Sequence, residues 1–354
     1  MRITRVEIVP VPLTLTEPYT IAYETVDTVV NLVVRVVTDG PHVGLGVAAP
    51  EPGVTGETPA DCEAALRDVV VPLLLGEDPL RRAWLTERLA DELVGRPAAL
   101  AAVDQALHDL LGKVAGLPVW RVLGGYRSSI ATSVTVFIVP VDEAVARSRA
   151  LVAKGFDALK LKGGVDVDED IERVQAVRAA VGEHVDLRFD ANQGYTAEQA
   201  IRFFVATRQV GLRLFEQPTP ASELSAMREV VSRVAAPVMA DESVMSLADA
   251  FAFARDDAMD MVNLKLQKVG GIDAGQLING VARSAGLEVM VGCMDEAELS
   301  IAAGLAFALS RRNVELADLD GHLDFLDDPT AGCVRLVDGV LHPSDEPGFG
   351  RVDL

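Results

Sequence analysis

The chain is poor in the residues that build several common kinds of site. Its 354 residues include only 3 cysteines and 5 histidines. Cys62, Cys293 and Cys333 stand far apart, and no HxH, HExxH or CxxC occurs, so a zinc centre is not expected. A sparse, odd set of thiols fits a reducing compartment. No uninterrupted apolar run reaches the roughly 18 residues that span a bilayer. The first residues meet proline and charge too early for a secretion signal, so a cytoplasmic enzyme is the expectation. Basic residues are in deficit, 32 Lys and Arg against 53 Asp and Glu, for a formal charge of −21. A field of that sign repels nucleic acid and anionic membrane, and neither is expected as a partner. No Gly-x-Gly-x-x-Gly follows a strand-like run, which speaks against a dinucleotide-binding open sheet.

What is present is a large apolar fraction, 49%, arranged in two rhythms. Near the start, ITRVEIVPVPL and VVNLVVRVVTDG are β-branched runs, and Asp39-Gly40 marks a turn. From about Pro59 to Val114 apolar residues recur at three and four, the helical period. This predicts an α+β domain over 1–125. From about Ser129 short apolar runs alternate with helical stretches. The runs are ATSVTVFIV, ALKLKGG, VDLRFDANQ, LRLFEQP, APVMADES, MVNLKLQKVGG, LEVMVGCMDE and VELADLDG. Strands separated by helices make a parallel sheet, and eight such units close as a (β/α)₈ barrel, here predicted over 126–328. The last segment, about 329–354, is expected to return to the first domain.

Nearly every predicted strand ends in a polar residue, and in a barrel those ends meet at one mouth. Asp190, Glu216 and Asp241 each follow an apolar run, one unit apart. Three carboxylates converging there repel one another unless a cation joins them, and an all-oxygen set favours Mg²⁺, with Mn²⁺ as the alternative. In Ala-Leu-Lys-Leu-Lys-Gly-Gly the leucines alternate with Lys160 and Lys162, which places both lysines inside the barrel. Lys265 falls on the sixth strand, across the barrel from Lys162. Burial, the metal and the crowding of Lys160 would lower a lysine's pKa toward that of a useful base. Lys268 reads equally well as a loop residue that binds nothing.

Lys-Leu-Lys at 160–162, Asp-Ala-Asn at 190–192, Glu216-Gln-Pro, Asp241-Glu-Ser and Asn263-Leu-Lys265-Leu-Gln-Lys-Val-Gly-Gly resemble, in order and spacing, the muconate-lactonizing subgroup of the enolase superfamily. The resemblance covers nearly the whole chain. It implies a barrel with an N-terminal capping domain and metal ligation by Asp190, Glu216 and Asp241. It implies acid/base roles for Lys162 and Lys265 on opposite faces of the substrate, with Lys160, Asn192 and Glu242 in support. It also implies a small substrate bearing a carboxylate, and homo-oligomers are usual for the family.

Two bases on opposite faces suit removal and return of one α-proton. Ala317-Asp318-Leu319-Asp320-Gly321 on the last strand resembles the dipeptide epimerases, whose paired aspartates bind the substrate's α-ammonium group. A pair of carboxylates away from the metal wants a cation, and a muconate with a carboxylate at each end would be repelled. Glu24 in the capping loop, with Asp295 and Met294 after the seventh strand, is the predicted contact for the substrate's side chains. These acids, with no arginine nearby, turn the expectation from Ala-Glu toward a cationic or neutral side chain. The alternatives are another enzyme of the subgroup (cycloisomerase, N-acylamino-acid racemase, or cyclic imino acid dehydratase or epimerase) and a non-catalytic metal- or partner-binding barrel.

Overall fold

The structure, a computed structural model, describes residues 1–20 and 25–352. The chain begins with an antiparallel meander of β1 (Ile3–Thr20), β2 (Thr25–Thr38) and β3 (Val43–Ala48). A bulge separates Thr14↔Thr28 from Tyr19↔Val26 and shifts the hairpin's register toward its end. Behind the sheet lie helices Pro59–Ala65, Arg82–Glu92 and Pro97–Ala115. The last packs directly on β3, because Gly44 and Gly46 present no side chain there. A Cβ on Gly46 would stand 2.0 Å from the carbonyl oxygen of Ala102. Leu32, Val34, Val36, Leu66, Leu85 and Leu107 fill the core of this layer.

The remaining strands form the barrel. After a short β4 (Ile130–Ala131) come β5 (Val134–Val136), β6 (Ala158–Lys162), β7 (Asp186–Asp190), β8 (Leu214–Glu216), β9 (Val238–Ala240), β10 (Met261–Lys265), β11 (Glu288–Gly292) and β12 (Val314–Asp318). Each pairs in parallel with its sequence neighbour, in the order β5 to β12. The ring closes where the Ser133 amide donates to the Ala317 carbonyl at 3.0 Å and the Leu319 amide to Thr132 Oγ1 at 2.8 Å. All eight predicted strands are therefore present. The first is shorter than ATSVTVFIV suggests, because Thr132 and Ser133 turn their hydroxyls to the closing seam. At the end of the chain β13 (Val334–Val337) and β14 (Val340–Pro343) pair with β4. Beyond them Gly348 exchanges backbone hydrogen bonds with Leu117 and Val119. No helix among the described residues is long and apolar enough to cross a membrane.

The two-residue period of a strand builds the site. Inside the barrel Leu214, Met239, Met261 and Met290, with Leu316 against them, form an apolar floor. Two residues further along the same face stand Glu216, Asp241, Asn263, Gly292 and Asp318. Outward-facing Leu159, Leu161, Leu187 and Phe189 pack under the helices, which leaves Lys160, Lys162 and Asp190 facing in.

Candidate active site

Register lines up the charged residues. Lys162 pairs with Asp190, and Asp190 with Glu216. On the far side Lys265 lies level with Gly292, and Gly292 with Asp318. Strands β6 and β10 are four apart in the ring of eight, so Lys162 and Lys265 face each other across the mouth.

Asp190, Glu216 and Asp241 are fully buried. Lysines stand between them. Lys160 Nζ lies 3.1 Å from Asp190 Oδ2, 2.9 Å from Glu216 Oε2 and 2.9 Å from Asp318 Oδ2. Lys162 Nζ is 2.8 Å from Asp190 Oδ2 and donates to Asn192 Oδ1 at 3.1 Å. Lys265 Nζ is 2.8 Å from Asp241 Oδ2, and Lys268 Nζ is 2.6 Å from Asp241 Oδ1.

Electrostatics separates these groups. Burial and the nearby Asp190 push the Glu216 carboxyl up to about 8. Burial opposes ionisation of Asp190 too, but Lys162 and Lys160 overcome it and hold the carboxyl below its usual range. Asp241 is likewise lowered, its burial outweighed by Lys265 and Lys268. In return Asp241 overcomes the burial of Lys265 and holds it above the ordinary lysine range, the opposite of the lowering expected from the sequence. Burial works against the charge on Lys160, yet Asp318, Glu216 and Asp190 keep it well above the ordinary lysine range. Glu216 Oε2 and Asp241 Oδ2 have ammonium contacts but no directed hydrogen bond among the described residues. Three buried carboxylates whose charge is met only by ammonium groups fit a hard divalent cation.

Asn192 and Glu242 sit beside this cluster. Asn192 Nδ2 donates to Glu242 Oε1 at 3.3 Å, and burial with Asp241 and Asp190 pushes Glu242 up to about 7. The aspartate pair on the last strand divides by environment. Asp318 accepts from Ser133 and Lys160 and is lowered to about 2, since Lys160 outweighs its burial. Asp320 accepts the Thr135 amide at 2.7 Å and the Cys293 thiol at 3.9 Å, and no cation; burial and Asp318 push its carboxyl up to about 7. Asp320 is thus the member of the pair whose charge still lacks a cation.

The mouth opens into a cavity shared by cap and barrel. Lys160, Lys162, Lys265, Asp318, Asp320, Met294 and Asp295 line it from the barrel, and Tyr19, Asn31 and Glu51 line it from the cap. Tyr19 stacks on Phe137 and donates its hydroxyl to Asp295 Oδ2. Asn31 clamps the same loop, donating to the Asp295 carbonyl at 3.1 Å and accepting from the Ala297 amide at 2.8 Å. Burial pushes the Asp295 carboxyl up to about 6 against the Tyr19 bond. Glu24 lies outside the described residues.

Three contributors carry no assigned role from the sequence. Asn263 sits two residues before Lys265 on the inner face and donates to Glu216 Oε1 at 2.7 Å. Glu51 enters from the cap, and its Oε2 is buried without a hydrogen-bond partner among the described residues. Lys268 is not a loop residue without a role. It lies on the turn of helix Leu266–Val269, one helical turn from Lys265, and is buried against Asp241 and the Asn263 carbonyl. Lys268→Met should therefore destabilise the fold by about 3 kcal/mol, because it removes one partner of a buried pair. Urea unfolding reads this directly, and a change under about 1 kcal/mol would show that Asp241 does not need it.

The sequence matches two family models in succession. Residues 3–124 match the mandelate racemase / muconate lactonizing enzyme N-terminal domain, and residues 143–352 match the enolase C-terminal domain-like family. Along 99% of both chains it is 38% identical to the L-Lys-D/L-Arg epimerase of Methylococcus capsulatus. A solved structure of the dipeptide epimerase from Methylococcus capsulatus, complexed with Mg and the dipeptide L-Arg-D-Lys, superposes with a TM-score of 0.94 at 37% identity over 100% of both chains. A substrate-liganded complex of the L-Ala-D/L-Glu epimerase from Bacillus subtilis superposes with a TM-score of 0.97 at 35% identity, covering 99% of this chain and 98% of that one. With both halves of the chain matched and its barrel mouth carrying the expected residues in register, the chain belongs to the enolase superfamily, within the muconate-lactonizing subgroup.

Proposed function

We propose that this chain is a metal-dependent dipeptide epimerase that inverts the α-carbon of the dipeptide's C-terminal residue. The observation that carries the reading is the placement of Lys162 and Lys265 on opposite strands of one mouth, with the carboxylate cluster between them. Asp190, Glu216 and Asp241 would hold Mg²⁺, for which their all-oxygen set is suited, and Mn²⁺ could take the same ligands. When bound, that ion supplies positive charge against the second negative charge that the substrate carboxylate gains as the α-proton leaves. One lysine, neutral, removes the proton; the other, protonated, delivers a proton to the opposite face. Reversing the two roles runs the reaction from the other epimer. Lys160 balances Asp190, Glu216 and Asp318 and fixes their positions. Asp320, with Asp318, takes the substrate's α-ammonium group, the cation its environment lacks.

The side chains preferred are cationic. Glu51, Asp295 and Asp324 line the cavity, and no arginine or histidine lines it among the described residues. The buried, unpartnered Glu51 Oε2 gains most from a cationic group. The Methylococcus capsulatus relative named for Lys and Arg points the same way. Chiral chromatography of L-Lys-L-Arg and L-Ala-L-Glu incubated with enzyme and Mg²⁺ tests both levels. Faster inversion of L-Lys-L-Arg is the expected result. Glu51→Gln or Asp295→Asn should lower kcat/KM for it about 10- to 100-fold, the loss of a partly desolvated charge contact. Equal rates on both dipeptides, unchanged in these variants, would remove the cationic preference and leave the epimerase reading. No inversion of any dipeptide would remove both.

A further inference from the structure

Away from the mouth, the seam between cap and barrel holds a second set of converging donors. Asp104 and His108 lie one turn apart on helix Pro97–Ala115 of the cap, and Asp273 opens helix Ile272–Ser284 of the barrel. Among the described residues these make the one group of three acidic, histidine or cysteine side chains whose ligand atoms all lie within 4.8 Å of one another. The barrel-mouth carboxylates are spread wider by the lysines between them. Asp104 and His108 are buried, and Asp273 is partly so.

The hydrogen bonds around His108 fix its chemistry. Nδ1 lies 2.8 Å from the carbonyl oxygen of Asp104 and 3.3 Å from its carboxylate Oδ2. A carbonyl only accepts, so Nδ1 carries the proton, and in the neutral ring Nε2 keeps its lone pair. That is the tautomer in which Nε2 ligates a metal while the other nitrogen is held by a backbone carbonyl. Nε2 points toward Asp273 Oδ1 at 3.8 Å and has no hydrogen-bond partner among the described residues. A protonated ring would close that gap to a charge-assisted hydrogen bond of about 2.8 Å. Two donors that share one ion, each about 2.0–2.2 Å from it, stand roughly 3–4 Å apart, which is the separation found.

Asp104 adds the third donor. Its Oδ2 accepts the Ile272 amide at 2.5 Å, and Gly271 permits the approach: a Cβ there would lie 2.6 Å from that same Oδ2. Its Oδ1 is buried with no partner among the described residues. Arg82 donates to the same Asp273 Oδ1 and balances one charge there, and Thr86 donates to Oδ2 at 3.2 Å, so an ion would share Oδ1 with the guanidinium. With a neutral imidazole the cluster retains one negative charge in excess. A surface cleft lined by Thr86, Gly270 and Leu277 reaches Asp273.

We infer that Asp104, His108 and Asp273 bind a divalent transition metal, of the Zn²⁺ or Mn²⁺ class that mixed imidazole and carboxylate donors select, and that this ion ties the cap to the barrel. The site stands apart from the mouth and takes no part in proton transfer. Its test counts ions on the whole enzyme. Protein in excess Zn²⁺ is freed of unbound metal by gel filtration, and zinc per chain is measured by mass spectrometry. Wild type should carry one more zinc than either His108→Gln or Asp273→Asn. Zinc should raise the unfolding midpoint of wild type by about 2 °C or more beyond its effect on the variants. Asp273→Asn alters a partly exposed residue and keeps the test available if His108→Gln does not fold. Its Mg²⁺-supported epimerase rate should stay within about twofold of wild type. Equal zinc content in wild type and Asp273→Asn would overturn the proposal and assign His108 to a buried ion pair instead.

Discussion

Lys265→Ala is expected to lower kcat for epimerisation by about 10²- to 10⁴-fold, the usual worth of one positioned acid or base. The more telling result lies in isotope exchange. Lys162 and Lys265 address opposite faces of the α-carbon because β6 and β10 are opposite in the ring. In D₂O, Lys265→Ala should still exchange the α-proton of the epimer that presents it to Lys162, without inversion. It should not exchange the other epimer. Lys162→Ala should show the mirror pattern. Exchange of both epimers in either variant would mean that one lysine serves both faces, and the two-base reading would fall. Loss of exchange from both epimers in both variants would mean that the lysines act only as a pair.

The second large effect is at Asp241. Asp241→Asn should cost about 10³-fold or more in kcat/KM with Mg²⁺, because several kcal/mol of charge stabilisation are removed and each 1.36 kcal/mol is tenfold in rate. Asp241 is fully buried and meets both Lys265 and Lys268, at 2.8 and 2.6 Å. A neutral asparagine leaves those two ammonium groups facing each other, so the variant should also bind Mg²⁺ weakly by calorimetry. Chelation of wild type should reproduce the rate loss and reverse on adding Mg²⁺. Full activity after thorough chelation would contradict the assignment of these carboxylates to a metal.

The barrel and its mouth were legible in the sequence because both depend on local periodicity. Leucines at 159 and 161 point out, so Lys160 and Lys162 must point in, whatever the rest of the chain does. The same alternation places Glu216, Asp241 and Asp318 two residues above an interior floor. Residues that reach the mouth by another route were not legible. Lys268 arrives on a helical turn after its strand, where the two-residue rule no longer applies. Glu51 arrives from a cap loop that meets the barrel mouth only in the folded chain, a contact between segments distant in sequence. The expectation at Glu24 sought an acid in the cap for the substrate's side chain. Glu51 is the cap acid in the described cavity wall. Asp104 and His108 look like ordinary members of an alanine-rich helix until Asp273 is brought beside them across the seam.

The most direct test of the account is mass spectrometry of L-Lys-L-Arg incubated with wild-type enzyme and Mg²⁺ in D₂O. Inversion by two opposed lysines predicts one deuterium at the α-carbon of the C-terminal residue, appearing with the L,D product and abolished by chelation. Deuterium at the N-terminal residue, or inversion without any deuterium, would contradict it.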